Sequence, residues 1–520
     1  MRSWTLLVVV AGFGAGCASH PARFADRPAI QEVADDAPIP RPPRRREVDD
    51  FRATDEVVES AVVGSLDPRR WPEPGDANAL DEVPRSSWFR PPGGPAATSF
   101  AELGPPVMPL TVLRDRPRSG RDGIAVLDAR GLHYELRRDP DDRPEMRTAA
   151  AAIASRLVRG LGYLTPEAWI IEVLSSDLVV SAEPDDAGVW AAFLAPEPHS
   201  SSRGRVVAVR WPEGVDLGPT PMSGRRLGDP SDLVDHEDRR TLRALRDVAR
   251  WLKIRRLAPD FLRDVYVGPA GRGHVEHALM GLDGALGADA VVRPTAPEEA
   301  DSFDESTVRR ALTLGLAPRS EAKPTQTRIP ALGAIDAEIR AGDDRLQPPL
   351  LPAQRCSPAD SYWLAKRIVA LGGSTIRAAV EAGKLTNPEA RDQLARILDA
   401  RARALAAAAF AAVTPLEVER FAGQTLVVRD EALVAGFARP ETTRYAVEIL
   451  DGEGDPLAAP RRIAAETPTT AIALPPDVAS RAGYVIVRVR VSRAGAGVSR
   501  AFEAHLRGDG APLHLVGIRH

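Results

Sequence analysis

The alternation of apolar and polar positions is sharpest early in the chain. Ile124-Ala-Val-Leu127 alternates into a turn at Asp128-Ala-Arg-Gly131, and His133-Tyr-Glu-Leu-Arg137 returns. Two apolar runs bounded by Asp and Gly predict a β-hairpin. After the break at Pro140 to Pro144 the spacing turns helical from Glu145. Ile153, Leu157, Val158 and Leu161 recur on an Ala-rich background, Gly160/Gly162 stop the helix and Pro166 follows. Trp169-Ile-Ile-Glu-Val-Leu174 then reads as a strand. Apolar runs at Leu178 to Val180, Val189 to Leu194 and Val206 to Trp211 can complete its sheet.

Pro-rich breaks run to Asp229-Pro230-Ser231-Asp232, where a second unit begins with a helix near Asp235. Leu242, Leu245, Val248, Ala249 and Leu252 fall on one face of that helix. Arg239, Arg240, Arg243 and Arg246 take the rest, which predicts packing on one side only. A hairpin at Val265 to Val267 and Val275 to Met280 follows. His274 and Glu276 share one face of its second strand and His277 the other, a spacing that suits no zinc site and marks ordinary strand residues. A short helix is expected at Thr307 to Leu316 and a Pro-studded loop to Ser357. Helices follow at Asp360 to Ala370, at Ser374 to Ala382 and from Asn387 to about Val413, the last with Asn387 as N-cap and Pro388 at the first helical position. Beyond Thr414-Pro415, short strands at near-regular spacing (425–428, 445–450, 470–474, 484–491, 501–506, 513–518) predict an all-β sandwich of the immunoglobulin or fibronectin class, in which no site is legible.

The amino terminus changes the picture of where the chain works. Met1-Arg2, an apolar run from Trp4 to Phe13 and Gly14-Ala-Gly-Cys17 form an export signal resembling a bacterial lipoprotein box. That resemblance implies acylation of Cys17 and anchoring to the outer membrane, at the periplasmic or surface side. Cys356 is then the sole remaining thiol, expected buried and inert, with no disulfide. The expected organisation is a signal peptide at 1–16, a disordered Pro/Arg-rich tether at 17–50, a strap and α+β unit at 51–228, a mainly helical unit at 229–415 and the sandwich at 416–520. At 520 residues, 44% hydrophobic, 27% charged and a net charge of -4, the composition is that of a multidomain globular protein and implies no nucleic-acid partner. Lys occurs only at positions 253, 323, 366 and 384, so a missing Lys in the first half has no neighbour to replace it.

The words Tyr134-Glu-Leu-Arg-Arg-Asp-Pro140, Pro144-Glu145-Met146 and Gly160-Leu-Gly-Tyr163 with Pro166 resemble a group of uncharacterised bacterial envelope lipoproteins. So does Asn78 to Phe89, whose Trp88 and Phe89 are expected to plug a core. The family pattern is similar in turn to HipA-like and secretory atypical protein kinases. The resemblance implies a two-lobed kinase-like body, with a strand Lys and a helix Glu paired over nucleotide phosphates and Asn and Asp side chains holding the metal. The corresponding positions here are Arg137 and Glu145. Lys253 and Arg255/Arg256 stand where Asn and Asp are expected, Gly281 stands at the metal Asp, and Asp283 lies two residues late. Asp260 is a nearby acid, and Asp264 matches a framework Asp.

Cations in place of carboxylates oppose a divalent ion. The resemblance therefore implies degenerate catalytic motifs: a pseudokinase-like body without metal or cofactor, binding an envelope protein or glycan. Two alternatives stand beside it. One is an atypical kinase using ATP and magnesium through Arg137, Glu145, Asp264 and a displaced Asp283; the other is a structural envelope protein unrelated to kinases.

Overall fold

The computed structural model describes residues 23–24, 35–45, 73–91, 103–113, 123–179, 204–255, 261–290, 329–340, 343, 346, 350–478, 482–493, 499–508 and 512–520. The signal segment with Cys17, the strand expected at Val189 to Leu194, the helix expected at Thr307 to Leu316, and Arg256 and Asp260 lie outside them.

The expected hairpin forms as β2 (Gly123–Leu127) and β3 (His133–Arg137), paired antiparallel. It sits inside a six-stranded sheet completed by β1 (Leu110–Val112), β4 (Ala168–Glu172), β5 (Leu178–Val179) and β6 (Arg205–Arg210), in the order β4-β6-β3-β2-β1-β5. The helix that follows the hairpin is α1 (Met146–Gly160). Its small residues are buried nearly all round, so it packs on two sides. Ala151 and Ala152 meet Ile170 and Val207 of the sheet, while Ile153, Leu157 and Val158 join the helical core. The turn after α1 depends on Gly162, at φ +102°, where a Cβ would lie 2.5 Å from the Phe89 ring. Phe89 is fully buried and Trp88 nearly so, as expected of core plugs.

A second, three-stranded sheet orders β7 (Val215–Pro219), β8 (Leu262–Val267) and β9 (His274–Leu279). The helical unit is built from α2 (Leu245–Leu252), α3 (Pro358–Ala382) and α4 (Pro388–Ala412). The two helices expected at 360–370 and 374–382 form as expected, meeting inside Pro358–Ala382 at a kink where Gly372 has non-helical backbone, φ +68°. Asn387 caps α4 by accepting from the Glu389 amide, 2.8 Å.

Among the described residues the last unit has eight strands in two antiparallel sheets around one apolar core. One sheet is β10 (Leu416–Ala422), β11 (Thr425–Asp430) and β14 (Thr469–Ala473). The other orders β13 (Arg461–Ala464), β12 (Thr443–Asp451), β15 (Tyr484–Arg493), β16 (Phe502–Arg507) and β17 (His514–Arg519). β10 and β13 were not legible, because their faces are half exposed and carry charges at alternate and at successive positions.

Two expectations are corrected. No single helix runs from near Asp235: a 3-10 turn at His236–Asp238 and short helices at Arg240–Arg243 and Leu245–Leu252 take its place, and Arg239, Arg240 and Arg243 are each 1% exposed or less because acids from nearby turns and from distant segments converge on them. Asp232 takes Arg239, Asp81 and Asp360 take Arg240, and Asp238 takes Arg243. Nor is 35–45 a free tether. Ile39 bridges Gly273 beside β9, Arg45 donates to the Leu217 carbonyl of β7, and Tyr266 donates its hydroxyl to the Ile39 carbonyl at 2.7 Å. A Pro-rich segment has few amides to donate, yet its extended backbone fits where β-strand groups are left open.

Candidate functional site

Period-two alternation along β3 puts Glu135 and Arg137 on one face. Arg137 donates Nε to Glu135 Oε1 at 2.9 Å and Nη2 to Oε2 at 3.0 Å, a planar fork on a carboxylate. Its remaining arm, Nη1, reaches Asp283 Oδ1 at 2.6 Å. Asp283 is delivered there from β9 by Gly281, which holds φ +66° and turns the chain into a single 3-10 turn, Leu282–Gly284. A side chain at position 281 would strain that turn, which gives a structural reason for Gly where the resemblance expects a metal Asp. The second oxygen of Asp283 accepts from Arg147 of α1. Arg137, Glu135 and Asp283 are all buried, and Arg147 is one-fifth exposed.

The cavity lined by Arg137, Ser155, Thr165, Met280, Gly281 and Asp283 has a volume of about 10 Å³, at most room for one water. Nucleotide-sized sites are roughly 300 Å³ or more. Among the described residues no group of three His, Cys, Asp or Glu side chains is placed to hold a metal ion.

Glu145 is not part of this arrangement. It sits at φ +70° as the N-cap of α1, and its carboxylate accepts from the Thr386 amide at 2.9 Å, clipping α1 to the segment before α4. The Arg137–Glu145 pair implied by the resemblance is therefore replaced by Arg137–Glu135 and Arg137–Asp283. The cation at Lys253 is also placed differently: it pairs with Asp343, which takes Arg401 at 3.0 Å as well. The positive charge facing Asp283 comes from Arg137 and Arg147 instead.

Asp264 belongs to a separate buried cluster under Trp88. It accepts from Thr220, from Arg226 and, at 2.7 Å, from His277 Nδ1. His277 stacks on Trp88 with centroids 3.6 Å apart, and Arg239 lies 4.8 Å over the same ring. Burial pushes the Asp264 carboxyl up, but His277 and Arg226 outweigh it and bring it down to about 2. A carboxylate so enclosed has no path to a substrate; it ties 220–226 to the β8–β9 hairpin.

Sequence reasoning missed Glu135, Arg147 and Asp139. Glu135 was findable from its spacing to Arg137. Asp139 accepts the Thr148 amide at 2.8 Å and hydroxyl at 2.7 Å, fixing the first turn of α1, and its signal was the Asp-Pro step before the helix.

The chain is thus a mixed α+β protein with antiparallel β-sheets at its carboxyl end and a closed, arginine-filled junction where β3, α1 and the turn after β9 meet. No protein-family model matches the sequence, and no curated protein matches it. Among solved structures, the crystal structure of the Helicobacter pylori proinflammatory kinase CtkA is similar over 59% of this chain and 98% of that one, at 11% identity and a TM-score of 0.30. A likeness at that level leaves function to be argued from the site.

Proposed function

We propose that this is an exported, lipid-anchored envelope protein whose kinase-like body is non-catalytic and acts as a binding or scaffold module carrying an immunoglobulin-like sandwich. The observation behind the non-catalytic reading is the double guanidinium latch on Asp283. A carboxylate already paired with the guanidinium groups of Arg137 and Arg147 lacks the local negative potential that a divalent ion needs. The 10 Å³ volume beside it leaves no space for phosphates. The order hairpin, Ala-rich helix, strand, helical unit supports the kinase-like reading, and Gly14-Ala-Gly-Cys17 supports the anchor.

Thermal unfolding with and without Mg-ATP tests the first half. An unchanged Tm at saturating nucleotide is expected. Ligand at about 100 times its Kd stabilises by about 2.7 kcal/mol, so a rise of several degrees that is lost in Asp283→Asn would reject the closed site and favour the metal-dependent kinase instead. The anchor is tested by mass spectrometry of the mature amino terminus, where an acylated Cys17 is expected and an unmodified one rejects it.

A further inference from the structure

The amino-terminal segment is stapled to the sandwich, and that staple fixes which face can meet a membrane. Arg23 donates Nε to the Gly452 carbonyl at 3.0 Å and pairs with Glu453 in the turn after β12. The Phe24 amide donates to the Tyr484 hydroxyl at 2.8 Å. Its ring lies edge-on to His505 at 4.9 Å and under the Arg519 guanidinium at 4.2 Å. Phe24 thereby covers an apolar cluster of Leu450, Tyr484, Ile486 and Val516 on the side of the five-stranded sheet that faces away from the sandwich core.

That outer face is basic. Residues opposite one another in an antiparallel pair share a face, and Ile486 lies opposite Leu450 and His505. The same register places Arg444, Arg462, Arg488, Arg490, Arg507 and Arg519 outward, against Glu448 and Glu503. Arg490 pairs with Glu448 at 3.4 Å and Arg519 with Glu73 at 2.9 Å, so Arg444 and Arg462 are the exposed cations of this face with no ion-pair partner among the described residues, in a chain whose net charge is -4. Arg444, Arg462 and Arg490 are exposed. Arg488 is shared between Glu503 at 2.7 Å and Glu448 at 3.8 Å.

We propose that this outer sheet face lies on the anionic phospholipid head groups of the membrane that carries the anchor. The orientation rests on the reading of Cys17 as the acylated residue. Arg23 lies six positions after Cys17, and a fully extended chain spans at most about 3.6 Å per residue, so Arg23 stays within roughly 20 Å of the lipid. A tether of that reach lets the basic face come down onto the head groups, within the Debye length of about 8 Å over which the negative surface potential acts. The sheet face, and not the helical unit, is then what meets the lipid.

Two arms test the proposal. In the first, full-length mature chain carrying Cys17→Ser is sedimented with vesicles of phosphatidylglycerol and phosphatidylcholine, or of phosphatidylcholine alone. Binding to the anionic vesicles only is expected. It should be weakened about 5-fold per arginine removed, hence roughly 25-fold in Arg462→Gln/Arg490→Gln, and weakened further by salt. Equal binding to both vesicles, an unchanged double variant, or capture by heparin without vesicle binding would overturn it. In the second, acylated protein in vesicles carries a fluorophore at Arg462→Cys or, on α4 of the body, at Asp392→Cys. Head-group quenchers should dim the first label and spare the second, and the reverse or equal quenching sinks the orientation. If Cys17 bears no lipid the anchor reading fails by itself, and the unacylated chain still decides the face.

Discussion

Replacing Asp283 by Ala removes the one carboxylate that receives both Arg137 and Arg147. Breaking a buried ion pair from one side costs about 3–5 kcal/mol. Here Arg137 keeps its two-point contact with Glu135 and Arg147 is partly solvated, so a loss at or just below the bottom of that range, about 2–3 kcal/mol, is expected. Unfolding entropy near 2.1 cal/mol/K per residue, taken over a cooperative unit of about 250 residues, gives roughly 0.5 kcal/mol per degree and a Tm lowered by about 4–6 °C. The assay is thermal denaturation followed by circular dichroism for wild type, Asp283→Ala, Arg147→Ala and the double variant. The double variant should lose about 1–2 kcal/mol less than the sum of the two single losses, since each single change removes the same bond. A wild-type Tm in Asp283→Ala, or strict additivity, would show that the latch does not exist. A Tm of Arg147→Ala that rises with magnesium would show that a metal site was only masked.

Three further outcomes are expected. Arg240→Met leaves Asp81 and Asp360 without their shared buried cation and should cost about 3–5 kcal/mol. Because Asp81 also holds His520 Nδ1 at 2.7 Å, calorimetry should resolve separate melting of the sandwich, and a single unshifted transition would refute the coupling. Burial raises Asp264, Glu82 and Glu503, but hydrogen bonds and ion pairs outweigh it and hold each at about 2. A depressed carboxyl contributes stability that is complete above its unfolded value of about 4 and is lost as pH falls toward about 2, so urea midpoints should drop across that window; a flat profile contradicts the ion pairs. Burial, and then the nearby Asp247 carboxylate, lifts the Cys356 thiol well above its ordinary value, so iodoacetamide should modify it only on the unfolding timescale. Rapid labelling of native protein would place it at the surface.

Local signals in the sequence carried most of the elements. The Asp-Gly turn before His133, the stop at Gly160 and Gly162 and the Asn387-Pro388 start each state a backbone requirement that one residue type meets. The buried charges were opaque for the opposite reason. A helical pattern cannot tell a solvated arginine from a paired one, and the acids that bury Arg240 arrive from positions 81 and 360. The same holds for the strap: Pro38 to Arg46 reads as unable to build a core, yet the sheet edge that receives it lies more than 170 residues on, at Asp216 and Gly273. At the candidate site the resemblance drew attention to Arg137 and Asp283, but their meeting depends on the turn at Gly281, and the partners Glu135 and Arg147 came only with the structure.

The bonds from Arg23 and Phe24 to the last sheet join residues 429 to 460 positions apart. Ribosomes release the first of these long before the second, and loop closure over such a length carries a large entropic cost before any contact repays it. Until synthesis ends, the patch around Leu450, Ile486 and Val516 lacks its cover, so maturation finishes with the oldest part of the polypeptide closing over the youngest.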